Sequence, residues 1–89
     1  MIRRFRHKGL ERLFLSGDTG GVSAQHVARL RRFLALLNTS KTPGTPGLRL
    51  HPLRGSRRGQ WAVSVSGNLR LVFEFTGEDA TDVDLVDYH

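Results

Sequence analysis

The chain contains no cysteine, which excludes a disulfide framework, thiolate-ligated zinc and a thiol nucleophile. None of the four histidines stands at the paired spacing that metal sites use, so no metal is expected. No apolar run approaches the roughly 18–20 residues of a membrane span. The opening Met1-Ile2-Arg3-Arg4-Phe5 carries charge with no apolar segment behind it, so no secretory leader and no membrane partner are expected. A glycine-rich phosphate loop between strand and helix is also missing, and no cofactor is expected. A cytoplasmic setting fits these absences.

Acidic residues are nearly missing from the first two thirds of the chain. Residues 1–58 hold 13 of the 14 Lys/Arg against Glu11 and Asp18 alone, a formal charge of +11. Residues 59–89 hold Arg70 against six acids, a formal charge of −5. Such asymmetry points to a polyanion-binding face built by the first two thirds. Twelve of the cations are arginine, whose planar fork pairs with phosphate through two hydrogen bonds. At 38% apolar and 25% charged residues, the composition is that of one ordinary globular domain spanning 1–89.

The Pro/Gly-rich stretch from Asn38 to Gly47 reads as a loop between a helical half and a strand-rich half. Before it come a short extended segment, Ile2 to Arg6, and an amphipathic helix, Lys8 to Ser16, with Leu10, Leu13 and Phe14 on one face. A second helix over about residues 24–38 is expected, capped by Ser23, with Val27, Leu30, Leu34 and Leu37 on one stripe. Arg29, Arg31 and Arg32 then look outward. After the loop a meander is expected: Leu48 to Leu53, a hairpin of Gln60 to Val65 with Leu69 to Phe75, and Thr81 to Tyr88.

The hairpin register follows from burial. A two-residue Gly67-Asn68 loop would pair Ser66 with Leu69 and Ser64 with Leu71, mixing polar and apolar groups on each face. A three-residue loop, Ser66-Gly67-Asn68, pairs Val65 with Leu69, Val63 with Leu71 and Trp61 with Phe73, giving one apolar face. That loop is the expectation, with Asn68 in the left-handed position. It turns Ser64, Arg70 and Glu74 to the open side of the sheet. Alternation likewise leaves His51 and Arg54 accessible. At the terminus Asp87-Tyr88-His89 gathers three proton-handling side chains.

Four segments in order, RRFRHKGL, LHPLRG at 50–55, WAVSVSGNLRLVF at 61–73 and the terminal DYH, make the chain resemble the HigB group of bacterial toxin–antitoxin systems. These are host-killer, plasmid-maintenance toxins of the RelE/ParE superfamily. The resemblance implies an α/β (α+β) fold: a RelE-like compact domain, two N-terminal helices packed on one face of a mostly antiparallel four- to five-stranded sheet. It implies a ribosome-dependent mRNA endonuclease cutting in the ribosomal A site by metal-independent attack of the ribose 2′-OH. The implied partners are the ribosome, mRNA and a helix-turn-helix antitoxin of HigA type, through which alone operator DNA would be reached.

By position, the resemblance assigns catalysis to His51, Arg70, Asp87, Tyr88 and His89, and phosphate or RNA binding to Arg54, with Arg57 and Arg58 beside it. Where the family commonly has lysine this chain has Arg54; arginine keeps its proton at neutral pH, so Arg54 binds phosphate and is no acid. Proton transfer falls first to His89 and second to His51, either of them a candidate for acid or base. Asp87 orients, and Tyr88 stacks on a base or lends its hydroxyl. Arg29, Arg31 and Arg32 are expected to meet the ribosome. Two other readings stand beside this one. A ParE-like toxin on the same scaffold would inhibit DNA gyrase by binding, and a plain basic nucleic-acid module would have no toxicity; neither needs an acid–base set.

Overall fold

The computed structural model describes residues 1–42, 50–53, 55 and 59–87. Leucines at helical spacing form the first layer. Helix α1 (Lys8–Ser16) buries Leu10 and Leu13, and helix α2 (Val27–Thr39) buries Leu30, Leu34 and Leu37. His7 caps α1 by accepting the Leu10 N–H on Nδ1 at 3.1 Å. Gly17, at φ 75°, ends it in the left-handed conformation that glycine adopts without steric cost. The second helix departs from expectation at both ends. Residues Ala24–His26 form a 3-10 turn, closed by the His26 N–H on the Ser23 carbonyl at 3.0 Å. Ser23 is the N-cap of that turn, but its side chain makes no capping hydrogen bond. Helix α2 then continues through Asn38 and Thr39, into what reads from sequence as loop, and Asn38 Oδ1 accepts the Ile2 N–H at 2.9 Å.

Four antiparallel strands follow in the spatial order β1-β2-β3-β4: His51–Pro52, Gln60–Ser66, Leu69–Thr76 and Asp79–Asp87. Pro52 sits on the edge strand, where a missing N–H costs no ladder bond. The Leu48 and Arg49 end of the expected first strand lies outside the described residues. The N-terminal segment adds parallel bridges to the other edge, Ile2 with Ala80 and Phe5 with Val83, so a partial fifth strand protects β4.

The hairpin keeps the expected register from Gln60 to Ser64 but has neither the expected Val65–Leu69 pair nor the expected turn. Trp61 pairs with Phe73 and Val63 with Leu71, yet Ser66 pairs with Leu69 across a two-residue Gly67-Asn68 turn. A bulge at Val65 reconciles the two, adding one residue to β2 so that the short turn and the single apolar face coexist. Gly67, at φ 51°, takes the left-handed position, and Asn68 does not. The core that results joins the helix leucines to Val63, Val65, Leu71, Phe73, Ala80 and Val83, with both helices on one face.

A second bulge, between Val72 and Glu74, places two β4 residues opposite Phe73. Asp82 there has φ 54° and Oδ1 within 2.9 Å of Arg4 Nε and 2.8 Å of Arg4 Nη2. Aspartate tolerates this conformation better than a branched residue would. The bulge resets alternation, so that Asp84 and Val86 join the open face while Val83 and Leu85 turn to the core.

Gly9 of α1 meets Gly21 backbone to backbone. A Cβ at Gly9 would lie 2.8 Å from the Gly21 carbonyl carbon and closer still to its oxygen. Alanine elsewhere in a helix gains roughly 1 kcal/mol over glycine, but forcing apart packed backbone costs about 1–3 kcal/mol. Gly9→Ala is therefore expected to lower Tm by several degrees in thermal unfolding. A Tm equal to or above the parent's would show that the 17–21 loop yields freely.

Candidate active site

The sheet's two faces have different fates. One is covered by helices. On the other, cross-strand pairing lines up His51, Ala62, Val72 and Asp84 in one row, and Ser64, Arg70 and Val86 in the next. Ala62 and Val72 are themselves buried at its centre, while Ser64 and His51 are exposed and Arg70 is half-buried.

Arg70 is a cation of this face held in place by hydrogen bonds. Its Nη1 donates to Ser64 Oγ at 3.0 Å and to the Gly67 carbonyl at 2.9 Å. Both partners are neutral, so the full positive charge remains. Nη1 is anchored, and among the described residues Nη2 and Nε have no partner, the arrangement needed to pair with two oxygens of one phosphate. A hydroxyl and a turn carbonyl thus hold the guanidinium. Asp84 uses Oδ1 to accept the Leu85 N–H at 2.8 Å.

His51 shares the face with Arg70, two strands across and one row along. Strand spacing and rise put their Cα atoms roughly 12 Å apart, a gap that an imidazole and an extended guanidinium can both reach across toward one substrate group. Asp87 is placed differently. It pairs with Leu69, so alternation puts it on the side of Leu69 and Leu85, and it is not brought together with Arg70 and His51. Arg54, Arg57, Arg58, Tyr88 and His89 lie outside the described residues. Among the described residues no three His, Asp or Glu gather as metal ligands would, and no helix is long and apolar enough to cross a membrane.

The three arginines of α2 are exposed, and they are not equivalent. Arg29 donates to the Val65 carbonyl, Arg31 reaches the Gly17 carbonyl at 3.4 Å, and Arg32 makes no such bond among the described residues. Sequence reading missed Ser64, although the register it favoured already sets Ser64 opposite Arg70.

Over residues 3–89 the sequence matches the model of the HigB-like toxin family, described as RelE-like toxins of the type II toxin–antitoxin system HigB. It is 41% identical, over the full length of both chains, to a Proteus vulgaris protein named Endoribonuclease HigB.

Proposed function

The chain belongs to the HigB-like family of type II toxin–antitoxin toxins, and from that premise we propose that it is an endoribonuclease with a RelE-like fold that cuts mRNA in the ribosomal A site. The observation that carries this reading is Arg70, held by Ser64 and Gly67 on the open face that also presents His51. The partners are a cognate antitoxin of helix-turn-helix type, the ribosome and the message, all met in the cytoplasm; operator DNA is reached only through the antitoxin.

Cleavage needs a base for the ribose 2′-OH, cations for the charge that builds on the phosphate, and an acid for the departing 5′-oxygen. Attack by the 2′-oxygen leaves a 2′,3′-cyclic phosphate on the upstream fragment and a 5′-hydroxyl on the downstream one. Arg70 stabilises the phosphate, with Arg54, Arg57 and Arg58 as further phosphate contacts. His89 and His51 share the two proton transfers, Asp87 orients His89, and Tyr88 stacks on a base or donates its hydroxyl. Of the three helix arginines expected to meet the ribosome, Arg31 keeps that role, since Arg29 and Arg32 line the groove beside the hairpin tip.

Induction in cells followed by mapping of mRNA 5′ ends tests the reading. Cuts in frame with codons, bearing 5′-hydroxyls, are expected. Intact messages accompanied by gyrase-type DNA damage would overturn it in favour of a binding toxin.

A further inference from the structure

We propose that the groove between α2 and the tip of the β2–β3 hairpin is a second RNA subsite, holding the single-stranded message next to the segment that Arg70 contacts. The inference rests on reading the open sheet face as the cleavage site. The groove has a volume of about 670 Å³, and Gln25, His26, Arg29, Arg32, Phe33 and Ser66 stand on its walls. Among the described residues, two guanidinium groups and no carboxylate line it, so its potential favours a polyanion.

The arginines divide the work. Arg29 is fixed by its bond to the Val65 carbonyl, the residue that the bulge leaves unpaired in the hairpin ladder. Arg32 is exposed and makes no hydrogen bond or ion pair among the described residues, so its whole fork is available to phosphate. The half-buried Phe33 beside them offers an aromatic surface of the kind on which unpaired bases stack.

Continuity with the candidate active site selects RNA over an acidic peptide. Arg29 grips the hairpin tip at the Val65 carbonyl from the helix side, and Arg70 grips it at the Gly67 carbonyl from the open side. Two residues of chain span at most about 7 Å. A strand with one phosphate on the free edge of Arg70 therefore enters the groove by crossing the tip, and its next phosphates meet Arg29 and Arg32. The same inference separates Arg32 from Arg31, which lies beside Gly17 at the other end of the helical layer.

The test uses the full chain and 2′-O-methyl RNA, which cannot be cleaved by its own 2′-oxygen. Affinities for a dinucleotide and an octanucleotide are measured by fluorescence anisotropy across a salt titration. The octanucleotide is expected to bind more tightly. Arg32→Gln is expected to weaken it by about twofold to fivefold, as for loss of one exposed charge contact, and to make the salt slope shallower by about 0.7. The dinucleotide should be unaffected, and Lys8→Gln, an exposed change on α1, should alter neither. A second variant, Ser66→Asp, puts a carboxylate on the groove wall and should also weaken only the longer RNA.

Octanucleotide binding and salt slope unchanged by both variants would overturn the proposal. So would variants that lose affinity for the ribosome or the antitoxin while keeping it for the octanucleotide, because the groove would then belong to that partner. Binding of the octanucleotide through Arg32 by a protein that cuts no message on ribosomes would uphold the groove and overturn the cleavage reading alone.

Discussion

Arg70→Ala is expected to slow single-turnover mRNA cleavage by about 10²-fold or more while leaving the fold intact. The rate loss is that of removing a positioned donor from a phosphate whose charge grows in the transition state. The stability cost should be about 1 kcal/mol at most, because the side chain is half-exposed and gives up only bonds to Ser64 and Gly67. Arg70→Lys should restore the activity only in part, since an ammonium cannot make two parallel bonds to one phosphate. Thermal unfolding and cleavage on programmed ribosomes separate the outcomes. A variant that unfolds readily would make Arg70 a structural strut of the hairpin, and a stable variant with normal cleavage would remove it from the active site.

Removing Tyr88 and His89 is expected to abolish growth arrest. The truncation keeps every described ladder pair of β4, from Thr76–Asp79 to Leu69–Asp87, so the truncated protein should unfold near the parent temperature. The expected loss in cleavage is about 10²–10⁴-fold, the range for general acid–base groups. Growth assays beside a melting curve decide the matter. A folded, fully toxic truncation would place the proton transfers elsewhere, with His51 first in line.

The apolar face of the β2–β3 hairpin was legible because burial punishes a one-residue slip: Trp61, Val63, Leu71 and Phe73 leave only one register that covers them together. The turn was not, since a bulge at Val65 meets the same demand with a shorter loop, and the bulge is fixed by tertiary partners such as Arg29, 36 residues away. The same holds on β4. Its displaced alternation depends on Asp82 in a left-handed conformation, paired with Arg4 from the opposite end of the chain. The bulge thus sets which face the stretch after it presents, with Asp84 toward His51 and Arg70 and Asp87 away from them. Residue chemistry was easier to read: an arginine on the open face and an accessible edge-strand histidine follow from local pattern, whereas the hold of Ser64 and Gly67 on Arg70 emerges only once strands are paired.

The central claim is that His51 and Arg70 act from one sheet face on one reacting phosphate. Single-turnover cleavage on programmed ribosomes by His51→Ala, Arg70→Ala and the double variant measures it directly. Groups that serve one transition state lose their effects non-additively. Each single change is expected to slow cleavage by roughly 10²-fold, and the double variant to be within about tenfold of the slower single. Either single variant cutting at the parent rate, or losses that multiply in full to about 10⁴-fold, would contradict a shared site.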